Sequence, residues 1–222
     1  MAEQLTFDLP MRTALGRDDY FVSAANAVAV AGIDGWRDWP RAKMVLVGPD
    51  GAGKTHLAHV WAEAAGARVV QAADIEALDL ETIGPGLAVE DADRGLTGAQ
   101  ETALFHLHNA LADRGGALLL TARRDPARWP LRLPDLHSRV QQAGVLKLGP
   151  PDDALLAALM VKLAADRQMR LDPGLIGYAL LRMERSFGAA QALIAAIDAR
   201  SLRDKTRPGK AMIGAILAQG DE

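Results

Sequence analysis

Met44-Val45-Leu46-Val47-Gly48-Pro49-Asp50-Gly51-Ala52-Gly53-Lys54-Thr55 is an apolar run that delivers G-x-x-x-x-G-K-T, and Leu57-Ala58-His59-Val60-Trp61-Ala62 follows with helical spacing. A strand, a glycine loop and a helix in that order make a phosphate-binding loop. Each part has its own physical task. The glycines let backbone N–H groups turn toward phosphate oxygens, and the helix aims the positive end of its dipole at them. Lys54 reaches the β and γ oxygens, and Thr55 is placed to hold Mg²⁺. The segment Gly48, Pro49, Asp50, Gly51, Ala52, Gly53, Lys54, Thr55 and the following His56 is therefore read as the nucleotide-binding segment, for ADP or ATP with Mg²⁺.

Working outward, four more apolar runs read as strands: Arg68-Val69-Val70-Gln71, Gly86-Leu87-Ala88-Val89, Ala117-Leu118-Leu119-Leu120 and Val145-Leu146-Lys147-Leu148. Helix-length segments separate them, which predicts a parallel five-stranded sheet, each strand buried on both faces under covering helices. Gly149-Pro150-Pro151 then stops the last strand. Beyond it the pattern is helical throughout. Pro151 opens a helix to about Arg167, Asp172-Pro173 caps the next, Ser186 precedes one through about Leu202, and Pro208 opens the last. The fold expected is α/β over 15–150 followed by an all-α lid over 151–222, with 1–14 an extended tail.

Composition agrees with this class. Half of the 222 residues are hydrophobic but only 5% are aromatic, so the core is built mainly from Ala, Leu, Val and Ile. With no cysteine, disulfides, thiolate metal sites and thiol catalysis are excluded together. A net charge of −3 with both signs interleaved gives no broad attraction to nucleic acid, so contact with DNA is expected only indirectly. The apolar stretches fall short of a membrane span and no signal segment opens the chain, which predicts a cytoplasmic protein. His106 and His108 are two apart on a helix, and His56 and His59 lack a third ligand; the histidines are assigned surface or packing roles rather than a metal site.

The other half of a nucleotide site is expected at neighbouring strand ends. Gly86-Leu87-Ala88-Val89 leads into Glu90-Asp91, two carboxylates at the edge where a parallel sheet presents its ligands. Glu90 is the Mg²⁺ candidate and Asp91 the candidate base for attacking water, with Asp93 able to share the metal. A glutamate in the first place moves the carboxylate oxygens by about a bond length, and catalysis tolerates such misplacement poorly. Thr121, after Leu118-Leu119-Leu120, is the candidate sensor of a γ-phosphate through its hydroxyl.

The order of these parts resembles the AAA+ proteins of the replication-initiator clade, from about residue 15 onward. Asp19-Tyr20-Phe21-Val22 with Asn26 is similar to that clade's segment against adenine, which implies nucleotide contacts for Phe21 and Val22. Leu136-His137-Ser138-Arg139 looks like its arginine-finger box, implying that Arg139 acts on nucleotide held by another molecule. Met183-Glu184-Arg185-Ser186-Phe187-Gly188-Ala189 resembles its lid motif, implying that Arg185 reaches the phosphates in cis.

Within the clade the resemblance is closest to the Hda family of DnaA-related regulators. The chain stops at Glu222, just after the helix containing Met212 to Leu217, so no DNA-recognition helix is expected after the lid. Gln4-Leu5-Thr6-Phe7-Asp8-Leu9 looks like a peptide that docks on the sliding clamp of the replicative DNA polymerase. The Gln4 amide would supply directional hydrogen bonds, while Leu5, Phe7 and Leu9 would fill an apolar cleft. The resemblance thus implies a negative regulator of replication initiation that meets DnaA on the clamp and promotes hydrolysis of DnaA-bound ATP through Arg139. Tight nucleotide binding with little hydrolysis of its own is expected. The alternatives are an autonomous, self-assembling ATPase or loader-like remodeller, and a nucleotide-gated adaptor without catalysis.

Overall fold

The computed structural model describes residues 21–219. The candidate clamp peptide, with Gln4, Leu5, Phe7 and Leu9, lies outside the described residues. Five strands, β1 (Lys43–Val47), β2 (Arg68–Gln71), β3 (Gly86–Glu90), β4 (Ala117–Ala122) and β5 (Gly144–Lys147), form one sheet. Their order is β2-β3-β4-β1-β5 and every pairing is parallel. Because all strands run the same way, all five carboxyl ends reach one edge, where the phosphate loop sits.

The side-chain period of two divides the sheet's residues between two cores. On one face Met44, Leu46, Ala88 and Leu119 pack under α1 (Ala27–Asp34) and α2 (Lys54–Ala65). Val45, Leu87, Val89, Leu118 and Leu120 turn to the other face, against α3 (Gly98–Asp113) and α4 (Pro134–Gln141). Three of the four tryptophans meet in the first core: Trp39 stacks on Trp61 with centroids 5.3 Å apart, and Trp36 meets Trp61 edge-on at 6.4 Å.

Two sequence expectations need correction here. β1, β3 and β4 are buried along their whole length, but β2 and β5 are not. The strand order makes them the sheet's edges, where one neighbour and part of the helical cover are missing. The first lid helix also starts later than Pro151. Asp152 takes the cap position, its side chain accepting from the Leu155 N–H at 2.8 Å, so α5 spans Asp153–Asp166.

After the sheet come α5, α6 (Pro173–Leu180), α7 (Phe187–Asp204) and α8 (Lys210–Gln219), packed around their own core of Leu156, Met160, Ile176, Leu193, Ile194 and Ile213. Ser186 caps α7 by accepting from the Ala189 N–H. Asn26 folds the segment leading into α1: its amide donates to the Phe21 carbonyl and its side-chain oxygen accepts from the Ser23 N–H. Among the described residues no helix is long and apolar enough to cross a membrane.

Candidate functional site

The loop between β1 and α2 is shaped from within. Gly53 adopts φ 90° as the residue before α2, a conformation open to glycine. Lys54, the first residue of α2, is 7% exposed, and its ammonium donates to the carbonyls of Gly48 at 2.8 Å and Pro49 at 2.9 Å. Burial holds its pKa below the ordinary lysine range, opposed by the nearby carboxylates of Asp50 and Asp91. Two carbonyl partners satisfy hydrogen bonds without neutralising the charge. An anion entering here would meet an ammonium already in place.

That ammonium faces a cavity of about 400 Å³ between loop and lid. Asp50, Gly51, Gly53, Lys54, Thr55 and His56 form its polar floor, with Asp91 and Arg94 on one flank. Phe21 from the leading segment, Leu155 and Leu159 from α5, and Phe187 and Gln191 from α7 complete the wall. Polar atoms at one end and apolar side chains at the other suit a mononucleotide, phosphates inward and base against the lid.

The lid touches the loop directly. The Phe187 N–H donates to the Gly51 carbonyl at 3.1 Å. Gly51 has φ +69°, and a Cβ on it would stand 2.5 Å from the Ser186 Cβ. Glycine is required there on both counts. The Asp152 carboxyl is held below the usual aspartate range, first by the Leu155 N–H that it accepts and then by Ser23 and Ala25 of the leading segment.

The two candidate carboxylates are separated. Asp91 leaves β3 in the left-handed region, φ 57°, and lines the cavity, where it pairs with Arg94 at 3.0 Å. Arg94 and Arg123 also reach Asp50, at 3.8 and 2.7 Å. Glu90 turns away: it is buried, its Oε2 accepts from the Gln71 amide at 2.8 Å, and it lines a separate groove with His59 and Asp74. The expectation that both carboxylates serve one phosphate end is thereby corrected, because the reversal of backbone at Asp91 divides them. Asp93 is likewise elsewhere, accepting from the Arg124 N–H at 3.0 Å. Thr121 is inside β4 and 1% exposed; its hydroxyl accepts from the Asp91 N–H at 3.1 Å, so it sets Asp91 rather than facing the cavity.

Of the remaining expected contacts, Phe21 reaches the cavity and the half-exposed Val22 does not line it. Arg185 is directed along the lid surface, where it pairs with Asp153 at 3.1 Å, and is not among the cavity's lining residues. Among the described residues no group of three or more His, Asp or Glu is placed to hold a metal by itself. Thr55 and Asp91 at the cavity wall suit a Mg²⁺ that arrives on phosphates and keeps its waters, as that ion commonly does. Arg94, Leu155, Leu159, Phe187 and Gln191 were not legible as site residues.

Arg139 lies at the opposite edge of the sheet. It sits near Lys43, which opens β1, whereas the loop follows Val47 at the other end. Its guanidinium is 4.9 Å from the Phe105 ring centroid and 3.5 Å from His108 Nδ1. It does not line the cavity at the phosphate loop.

This arrangement was compared with known proteins. No family model matches the chain. Among solved structures, domain III of the Thermotoga maritima replication initiation protein DnaA superposes with a TM-score of 0.80 at 18% identity, over 96% of this chain and 98% of that one. The fold is the AAA+ fold of DnaA domain III. DnaA from Aquifex aeolicus, bound to AMPPCP, is similar over 84% of this chain and 66% of its own, with TM-score 0.68 and 17% identity. The Thermotoga maritima RuvB Holliday junction branch migration motor is similar over 77% of this chain and 59% of its own, at TM-score 0.60 and 20% identity. The shared DnaA architecture extends through the helical lid as well as the sheet.

Proposed function

We propose that this protein is an Hda-like negative regulator of replication initiation: a nucleotide-bound AAA+ protein that docks on the DNA polymerase sliding clamp and stimulates hydrolysis of DnaA-bound ATP. The observation that carries the reading is the placement of two cationic groups at opposite sheet edges. Lys54 lines the chain's own cavity and Arg139 does not, which supports a role for Arg139 toward nucleotide on another molecule. An arginine supplied in trans stabilises charge on the departing γ-phosphate and can contribute roughly 10³ to 10⁵ in rate.

In this reading the chain's own nucleotide, ADP in the working state, sets the lid and is turned over slowly. Mg²⁺ bound with it would neutralise phosphate charge, held by Thr55 and Asp91 at the cavity wall. Slow turnover fits the placement of the carboxylates: Glu90 lines a groove apart from the cavity, with one oxygen accepting from Gln71, and Asp91, which lines the cavity, pairs with Arg94. The peptide Gln4 to Leu9 would tether the protein to the clamp and bring it to DnaA on DNA, with no direct DNA recognition required. A reconstituted assay with ATP-loaded DnaA, clamp loaded on DNA and this protein tests the reading: hydrolysis should accelerate only when all three are present. Concentration-dependent ATPase activity of the isolated protein, lost in Arg139→Ala, would instead establish a self-assembling ATPase.

A further inference from the structure

Arg139 is held in an unusual way for a half-buried cation. Its partners are an imidazole nitrogen and an aromatic face, with no carboxylate among the described residues paired to it. The same His108 Nδ1 lies 3.4 Å from the Nζ of Lys43, itself 7% exposed. Lys43, His108 and Arg139 together line a small internal cavity whose other walls are apolar; among the described residues no acidic side chain borders it. Lys43 on β1, Asn109 on α3 and Arg139 on α4 are the polar or charged groups that face His108.

Lys43 and Arg139 are hydrogen-bond donors only, so Nδ1 between them must be the acceptor and the ring proton must sit on Nε2. Desolvation and the two neighbouring cations push the His108 pKa down to about 4, which keeps that acceptor unprotonated at neutral pH. A carboxylate in its place would hold Arg139 more strongly but would also cancel its charge. A neutral imidazole and a ring face fix direction while leaving the full positive charge for an external anion.

We infer that His108 is a positioning residue for Arg139, a neutral acceptor that aims the guanidinium at the partner's phosphates without neutralising it. The inference rests on the trans role proposed for Arg139, and it assigns to His108 more than the packing role read from sequence.

The test uses the full chain with clamp on DNA and ATP-loaded DnaA, following maximal stimulation and half-saturating concentration separately. His108→Leu should lower maximal stimulation by about 10- to 100-fold while half-saturation stays in place, since a small misalignment costs rate rather than docking. His108→Asn, whose side-chain oxygen occupies the place of Nδ1, should restore most of it. Full stimulation by His108→Leu, with Arg139→Ala inactive, overturns the inference and leaves the trans arginine standing. Full stimulation by Arg139→Ala removes the trans arginine itself. A measurement independent of the partner and of variant folding is the imidazole ¹⁵N spectrum of the native protein at pH 7. Nδ1 unprotonated with Nε2 protonated is expected; the opposite tautomer overturns the inference.

Discussion

His108 illustrates how one residue can report on its surroundings. In the unfolded chain it titrates near its ordinary value, and in the folded protein it stays neutral until about pH 4. Between those values the unfolded state binds a proton that the folded state refuses. Stability from this group is therefore intact above about pH 6.5 and falls as pH drops toward 4, by a total on the order of 3 kcal/mol. Denaturant melts across that range should show the loss, and His108→Leu should flatten it. Asp152 acts in a separate, lower window: its carboxyl pKa is depressed, so its contribution is present above the usual aspartate range and lost as pH falls through the folded value. At the phosphate loop, Lys54→Ala should weaken nucleotide binding by roughly 10- to 150-fold in Kd, about 1.5–3 kcal/mol for a hydrogen-bonded charge. Calorimetric titration with ADP and ATP measures it directly.

Between elements, two contacts decide where the site's parts stand. Glu101 on α3 is 2% exposed and accepts the N–H of Arg132 and of Leu133, the latter at 2.7 Å, just before α4 begins. It pins the helix that carries Arg139. Glu101→Ala would remove the charged acceptor from two part-buried donors, an expected loss of about 1.5–3 kcal/mol read from the denaturation midpoint. The second contact joins loop and lid at Gly51. Gly51→Ala should force Ser186 away and speed amide exchange at Phe187, whose N–H donates to the Gly51 carbonyl. Unchanged exchange there would mean that the lid does not depend on this contact.

Element type was legible in sequence because its causes are local: unbroken apolar runs for the central strands, glycines for the loop, and Asp172 and Ser186 for two of the lid's helix starts, whereas Asp152 rather than Pro151 caps the first. The half-exposed edge strands were not, since edge position follows from strand order. Leu155, Leu159, Phe187 and Gln191 became visible as cavity walls only once the lid was folded over the loop. The separation of Glu90 from Asp91 depends on a single left-handed residue. Lys43, His108 and Arg139 come from three elements, and no spacing in the chain announces their meeting.

Across the whole molecule, the proposed nucleotide site lies where sheet edge, leading segment and lid converge, so nucleotide should bind the folded protein alone and raise its melting temperature by mass action. The opposite edge carries Arg139, so the proposed nucleotide site and the proposed trans arginine lie on different faces. The proposed function requires these faces to be separable by mutation, as well as from the tail. Replacing Gln4, Leu5 and Phe7 with alanine should abolish capture by the clamp while leaving nucleotide affinity intact; retained capture removes the tail's proposed role. The central claim is tested most directly by the rate of ATP hydrolysis on DnaA, with clamp-loaded DNA, in the presence of native protein or Arg139→Ala. The expected result is acceleration by the native protein and none by a variant that still binds clamp and nucleotide; equal acceleration by both would contradict the claim.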